Sequence, residues 1–147
     1  MADFITKSQR SALMSSIKGK ANKETELCLA ALFRQYGIKG WRRHYRISGK
    51  PDFVFTKARL AIFVDGCFWH GCPWHYRRPT SNQKFWDTKF TMNRKRDRRV
   101  NRELRDNGWQ VMRIWQHQLE KPEKIIKIVK HVLKVSSRTK NRRLEII

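Results

Sequence analysis

Apolar residues recur at intervals of three and four positions in several segments of this chain, which is the spacing of an amphipathic helix. The pattern predicts helices over residues 23–36 and 122–135, and a shorter amphipathic segment over residues 6–20. It also predicts a long helix that begins after Ser81, as its N-cap, and ends at Asn107. The inward stripe of the long helix is expected to comprise Trp86, Phe90, Asn93, Asp97, Val100 and Leu104.

Four short runs rich in β-branched and aromatic residues predict strands. Residues 41–47 alternate apolar with charged side chains, as in a half-exposed strand, and residues 52–56 and 60–64 predict an antiparallel hairpin. Residues 109–115 are almost continuously apolar, which is typical of a central strand covered on both faces. This order of elements predicts an α/β protein with a mixed sheet flanked by helices.

The charge balance indicates that this α/β protein binds a polyanion. The chain carries 34 Lys and Arg against 12 Asp and Glu, a formal net charge of +22. Nucleic acid is the first candidate partner, and a membrane surface is the main competitor. The apolar runs are too short for a transmembrane span, and the first residues lack the pattern of a signal peptide. We therefore expect a soluble intracellular protein, and the odd count of three cysteines fits a reducing compartment.

The 147 residues are expected to form one main domain over residues 21–135, with a DNA-contacting arm or helix over residues 1–20 and a basic flexible tail over residues 136–147. For the first segment two interpretations are about equally supported. Its apolar residues either pack on the core, or Met14 and Ile17 enter a DNA groove as apolar wedges.

Cysteine and histidine residues with metal-ligand spacing follow the second strand of the hairpin. Cys67, Cys72 and His75 have the spacing C-x4-C-x2-H, and His117 follows the last predicted strand. Thiolates and imidazoles in a set of four suit a tetrahedral structural zinc ion. The alternative is a pair of unligated buried thiols with surface histidines. Cys28, distant in sequence, is expected to be a small core residue.

Two carboxylates mark the ends of the hairpin strands. Asp52 opens one strand and Asp65 closes the next, so antiparallel pairing would place both at one end of the sheet, where they could share a magnesium ion. The alternative for each is a turn or capping residue. His70 is the natural general acid or base beside such an ion, and Asp97 could fix its tautomer. Because Asp97 lies on a buried stripe, it should meet a cation or an N–H donor.

Aromatic residues are concentrated around the same segment. Phe68, Trp69 and Trp74 lie close together in the sequence, and Trp86 follows on the long helix. Such rings usually belong to the core, but several of them beside a phosphodiester site in a basic protein could also stack on bases.

Taken together, these motifs resemble those of the very short patch repair (Vsr) endonucleases, the DNA mismatch endonucleases of prokaryotes. The resemblance covers about residues 10–119, and its most specific mark is the string Gly-Cys-Phe-Trp-His at 66–70, next to Pro-Asp-Phe at 51–53. Further marks are Arg10-Ser11 with Met14 and Ile17, the helix with Phe85-Trp86, Asn93 and Arg96 to Arg99, and the strand from Gly108-Trp109 to Trp115.

The resemblance implies a restriction-endonuclease-like fold and magnesium-dependent hydrolysis of one DNA strand. The family cuts on the 5′ side of the thymine in a T·G mismatch, the lesion left when 5-methylcytosine deaminates. It further implies a prokaryotic cytoplasmic protein that acts as a monomer on double-stranded DNA, with a mismatch-repair loading protein as a further partner.

The resemblance also implies roles for individual residues. Asp52 corresponds to the essential metal-binding aspartate, and Val64 would bind the metal through its backbone carbonyl. His70 corresponds to the catalytic histidine and Asp97 to the carboxylate paired with it. Glu26, which composition alone indicates to be a solvated charge, corresponds to a glutamate near the active site. In this scheme magnesium at Asp52 activates water, and His70 handles a proton.

Other matches concern DNA contacts and zinc. Phe68, Trp69 and Trp86 match rings that insert beside the mismatch, and Met14 and Ile17 match a helix that enters from the minor groove. His117 matches the fourth zinc ligand, where a family member can carry cysteine.

This sequence departs from the family pattern in two places. Asp65 stands where a well-known member has histidine, so its role as metal ligand or proton handler is open. The segment from Gly71 to His75 is shorter than in members with a histidine run, so Cys72 and His75 are matched by their chemistry.

Two rival functions remain open. One is a restriction or structure-specific nuclease of the same fold. The other is a non-catalytic, zinc-stabilised DNA-binding module, for which the charge and the zinc spacing alone would suffice.

Overall fold

A computed structural model of the chain describes residues 6, 8–9, 25–67, 72–74 and 77–144, and the side chains of the last helix as far as residue 137. Residues 25–35 form the first helix, α1. A short 3-10 helix follows the last strand. The remaining elements are β1 (Trp41–Arg42), β2 (Phe53–Phe55), β3 (Leu60–Asp65), α2 (Gln83–Asp106), β4 (Gln110–Trp115), the 3-10 helix (Gln116–Glu120) and α3 (Pro122–Leu144).

The four strands form one mixed sheet in the order β1-β2-β3-β4. The first three strands are antiparallel, and β3 and β4 are parallel, which is the pairing expected when a helix connects two strands. The predicted hairpin is confirmed, because Phe53 lies opposite Ile62 and Phe55 opposite Leu60.

Helices cover both faces of the sheet. On one face, α1 and α3 enclose the larger core, and on the other face α2 packs against Ala61 and Phe63 of β3 through Val100 and Leu104. The predicted mixed sheet with flanking helices is therefore present. The larger core includes the side chains of Leu29, Phe33, Phe53, Ile62, Ile114, Ile125 and Val129.

Two strands differ from the prediction. β1 ends at Arg42 rather than at residue 47, since His44 has a left-handed backbone with φ 57°, which a continuous strand cannot contain. β4, predicted to be central, is the last strand of the described sheet, and the two inner strands β2 and β3 are buried along their whole length. β4 is apolar because helices pack against both of its faces. In the described sheet it has a neighbouring strand, β3, on one side only.

The helices differ from the prediction in their phase and their ends. Cys28 is exposed, contrary to expectation, because Leu29, Ala30 and Phe33 form the inward face of α1; Leu27 is exposed beside it. At the start of α2, the cap is Asn82 rather than Ser81, and it makes no side-chain capping bond. α3 continues to Leu144, beyond the predicted end at residue 135 and into the segment predicted as a tail.

The predicted stripe of α2 is confirmed, with Trp86 and Asp97 half-buried on it. Phe90, Asn93, Val100 and Leu104 are buried on α2, and Ile125 and Val129 are buried on α3. In the portion of the chain that the structure describes, no helix is both long enough and apolar enough to cross a membrane.

Candidate functional site

Asp52 lies immediately before β2, at the end of the sheet where β3 finishes. The pairing of Phe53 with Ile62 brings Asp52 beside Phe63 and Val64. Its Oδ2 accepts a hydrogen bond of 2.7 Å from the backbone N–H of Val64. The expected convergence of the two strand ends is therefore present, and the backbone of β3 fixes the Asp52 carboxylate.

The environment of Asp52 is acidic. The pKa of Asp52 is raised from 3.8 to about 7; burial is the largest cause, a hydrogen bond with Glu26 and the charges of Glu26 and Asp65 add to it, and the Val64 N–H opposes them. Glu26 reaches this position from α1 and forms an ion pair of 2.8 Å with Arg43. Among the described residues, Asp52 itself has no salt-bridge partner. An ionised carboxylate in this place would be stabilised by an added cation.

A cavity of about 580 Å³ opens beside this carboxylate. Glu26 and Asp52 form one part of its wall, and the loop from His44 to Pro51 forms another. Lys50 and His44, both exposed and both in the left-handed backbone region, bring basic groups to the same cavity. The space and the charges are suited to a phosphate group of a nucleic acid strand.

Asp65 and Asp97 share one arginine. Nη1 of Arg113 lies 3.0 and 3.1 Å from the two carboxylate oxygens of Asp65 and 3.6 Å from Oδ1 of Asp97. The expectation that Asp97 would meet a cation is confirmed. Both oxygens of Asp65 thus face a guanidinium group, and Asp65 has only 5% of its surface exposed.

Several predicted site residues lie outside the described part of the chain. They include the proposed catalytic histidine, one zinc-ligand candidate and four of the apolar residues assigned to DNA. The pairing of Asp97 with the histidine at position 70 therefore stays a prediction. These residues are Met14, Ile17, Phe68, Trp69, His70 and His75.

Three of the four predicted zinc ligands lie together. The Sγ atoms of Cys67 and Cys72 are 3.3 and 3.5 Å from Nδ1 of His117. Their ligand atoms all lie within 4.8 Å of one another. Two thiols and an imidazole in this arrangement fit a tetrahedral zinc or a similar soft cation, with one position left for a fourth ligand.

Local backbone contacts build this cluster. The N–H of Cys72 donates to the carbonyl of Cys67 at 2.9 Å, which closes the loop between the two thiols. Burial raises the pKa of the Cys67 thiol, and Cys72 raises it too, whereas the backbone N–H groups of His117 and Gln116 lower it. The amides at the start of the 3-10 helix thus favour the thiolate form that a metal requires.

Aromatic rings extend from the site along α2. Trp86 is half-buried and stacks on Phe90, with ring centres 6.0 Å apart. The rings of Phe85 and Trp86 meet edge to face, with centres 5.2 Å apart. Trp74 is 73% exposed and lies edge-on to His117 at 5.8 Å. The exposed Phe85 and Trp74 therefore offer ring surface to a ligand.

The sequence patterns did not predict Arg43 and Arg113 as members of the site. A signal existed for Arg113, since it is the single charged residue within the apolar run from Val111 to Trp115. A charge there needs an acidic partner, and Asp97 on the buried stripe of α2 needed a basic one. Arg43 carried no comparable signal, because it belongs to a run of basic residues.

Comparison with known proteins identifies the family of this chain. The model of the family described as "DNA mismatch endonuclease Vsr" matches residues 2–76. The nicking enzyme V.NaeI of Lentzea aerocolonigenes is 52% identical over 47% of this chain and 42% of that protein. The nicking enzyme V.NmeDIP of Neisseria meningitidis serogroup C is 40% identical over 81% of both chains. The DNA mismatch endonuclease Vsr of Escherichia coli K12 is 35% identical over 85% of this chain and 80% of that protein. The predicted resemblance is confirmed, and the chain belongs to the Vsr family of DNA mismatch endonucleases.

Proposed function

We propose that this protein is a magnesium-dependent endonuclease that nicks one strand of duplex DNA, 5′ to the thymine of a T·G mismatch. The observation that carries the proposal is the position of Asp52. Its carboxylate is held by the end of β3, lies in an acidic environment without a salt-bridge partner among the described residues, and borders a cavity. Membership of a family described as DNA mismatch endonucleases supports the reaction class.

The donor set around Asp52 fits a hard divalent cation. Asp52 would bind magnesium through its carboxylate and Val64 through its backbone carbonyl, while water and phosphate oxygens complete the shell. Bound magnesium would polarise the phosphate and lower the pKa of a coordinated water molecule. Glu26 lies next to Asp52, and its ion pair with Arg43 keeps its charge balanced there.

We assign proton transfer to His70 and its orientation to Asp97. An imidazole can give or take a proton near neutral pH, and a carboxylate hydrogen-bonded to one ring nitrogen sets which nitrogen is free. The support for this assignment is the fixed position of Asp97 on α2, near the end of β3.

DNA binding is assigned to charge and to rings. Exposed arginine and lysine residues follow one another along α2, and at a net charge of +22 this surface is suited to phosphates. The rings of Phe68, Trp69 and Trp86 would lie beside the mismatched bases, with Met14 and Ile17 entering the opposite groove. The basic residues of α2 include Arg94, Lys95, Arg98, Arg99, Arg102 and Arg105.

We propose zinc as the ion of the second site, held by Cys67, Cys72 and His117, with His75 as the fourth ligand. A full set of protein ligands leaves no open position, so this zinc would be structural. It would fix the segment that carries His70 against the 3-10 helix, and so hold the histidine near the sheet.

The site of action would be the prokaryotic cytoplasm, with a monomer acting on DNA and a repair protein loading it.

The test is a nicking assay with end-labelled duplexes that differ at a single base pair. We expect magnesium-dependent nicking of the T·G duplex and little cleavage of its matched form. Asp52→Ala should abolish nicking, and Asp106→Ala, which removes an exposed carboxylate at the end of α2, should not.

Each other outcome of this assay identifies one rival. Equal cleavage of the matched duplex would indicate a restriction-type enzyme, and preferred cleavage of a branched duplex would indicate a structure-specific one. DNA binding without cleavage at any magnesium concentration would leave the non-catalytic module. Nicking by Asp52→Ala at the parent rate would contradict the proposed site.

A further inference from the structure

Arg113 is the only arginine in β4, and it lies beside β3 on the face of the sheet that α2 covers. In the parallel register its neighbour on β3 is Phe63, and its guanidinium carbon lies 4.3 Å from the centre of that ring. Asp65 follows on the same face of β3, because alternate residues of a strand share a face. Strand pairing thus places the guanidinium group at the end of the sheet that contains the proposed site.

The guanidinium group contacts three polar side chains from two elements. Nη1 lies 3.0 and 3.1 Å from the two oxygens of Asp65 and 3.6 Å from Oδ1 of Asp97. Nε donates to Oδ1 of Asn101 at 2.9 Å, one turn of α2 after Asp97. One side chain therefore joins the end of β3 to the middle of α2.

Burial makes these contacts consequential. The side chains of Arg113, Asp65 and Asp97 are 20%, 7% and 19% exposed. A guanidinium group stays protonated at every relevant pH, so removing either side of the pair would leave a poorly solvated charge. Both oxygens of Asp65 lie within hydrogen-bond distance of Nη1 of Arg113.

We propose that Arg113 is a positioning residue of the nicking reaction, which holds the Asp97 carboxylate at the end of β3 and uses Asp65 as its counter-ion. Asp65 is then a support of Arg113 and not a ligand of the catalytic cation. This inference rests on the proposed function, since it concerns the geometry of the same site. It explains why a second carboxylate can stand beside Asp52 without competing for the cation.

The competing explanation is that Arg113 only ties α2 to the sheet. A purely structural role and a positioning role both predict that Arg113→Met lowers stability. They differ once the stability is restored. In the double variant Asp65→Asn with Arg113→Met, no buried carboxylate at position 65 is left without its guanidinium partner, but the contact between Arg113 and Asp97 is still missing.

The experiment measures single-turnover nicking of the T·G duplex, DNA affinity and thermal unfolding for each variant. We expect Arg113→Met to lower the nicking rate by about 10- to 100-fold, the range typical of residues that hold another functional side chain in place at a metal site, with little change in DNA affinity. Arg113→Lys should nick faster than Arg113→Met but more slowly than the parent, because one ammonium group cannot reach both Asp65 and Asn101. The control is Arg59→Met, which removes an arginine over the Trp109 ring away from the site and should keep the parent rate.

The double variant decides between the two explanations. Under the proposal its thermal stability rises above that of Arg113→Met, while its nicking rate stays low. A nicking rate that returns together with stability would overturn the positioning role.

A magnesium titration tests the role of Asp65 separately. Asp65→Asn should leave the magnesium concentration for half-maximal rate within about twofold of the parent, whereas loss of a metal ligand would raise it by about tenfold or more. The larger rise would overturn the assignment of Asp65 as a counter-ion. If Asp52→Ala nicked at the parent rate, the proposed function itself would be refuted. Failure of the Asp65 assignment and failure of the proposed function are therefore distinguishable.

Discussion

Replacing Asp52 with Asn in the magnesium-free protein should stabilise the fold at pH 8 and have almost no effect near pH 4. Asn has nearly the same shape as Asp but cannot ionise, so it imitates the protonated carboxyl group. The acidic, partly buried environment of Asp52 raises its pKa from 3.8 to about 7. The parent therefore loses stability on ionisation of Asp52, and the variant does not.

The sign and the size follow from proton linkage. Because the folded state holds the Asp52 proton more tightly than the unfolded state, the stabilising contribution of this group is complete below about pH 4 and is lost as the pH rises through about 7. A difference of about three pKa units corresponds to about 4 kcal/mol. Because Asp52 is partly solvated and coupled to Glu26, a gain of about 2–4 kcal/mol at pH 8 is the expected range.

The assay is urea unfolding of parent and variant at several pH values between 4 and 8, after removal of magnesium alone, so that the Cys/His metal site stays loaded. Asp106→Asn, at an exposed position, is the control and should change the free energy of unfolding by less than about 0.5 kcal/mol. Adding magnesium at pH 8 should stabilise the parent and leave Asp52→Asn unchanged. A variant that is less stable than the parent at pH 8, without magnesium, would refute the reasoning about Asp52.

The remaining predictions concern the second metal site and one turn. Purified protein should contain about one zinc per chain. Cys72→Ser or His117→Ala should lower both the zinc content and the thermal unfolding temperature. A zinc-free protein that unfolds at the same temperature as the zinc-loaded one would contradict the site. Gly49→Ala should destabilise the fold by about 1–3 kcal/mol, because the added methyl group would collide with Val100 and φ is +76°. Gly40→Ala is its control: φ is +87° there but the space is open, so chemical denaturation should show a smaller loss.

The sequence predicted the parts of the fold that depend on periodicity. The stripe of α2 follows from apolar residues three and four apart, and the antiparallel pairing of Phe53 with Ile62 follows from a short turn between two β-prone runs. Periodicity could not predict the end of β1, since nothing in the identity of His44 announces a left-handed backbone. It also misplaced β4, because an apolar run shows that both faces of a strand are covered and contains no information about its neighbours.

The candidate site was predictable to the extent that its members lie on regular elements. Strand ends predict the position of Asp52, which the backbone of β3 holds, and a buried stripe predicts a cation beside Asp97, which is Arg113. The phase of α1 was not predictable in the same way, so Cys28 was assigned to the core although it is exposed. Arg113 was missed because a long side chain reaches across from another strand, which local sequence spacing does not describe.

The most direct test of the central claim is a single-turnover nicking assay on a T·G duplex with magnesium, comparing the parent with Asp52→Asn. The variant keeps the shape of the site and the fold. We predict that the parent nicks the T·G duplex, leaves its T·A counterpart intact, and that the variant cleaves neither. Nicking of the T·G duplex by the variant at the parent rate would contradict a reaction centred on Asp52.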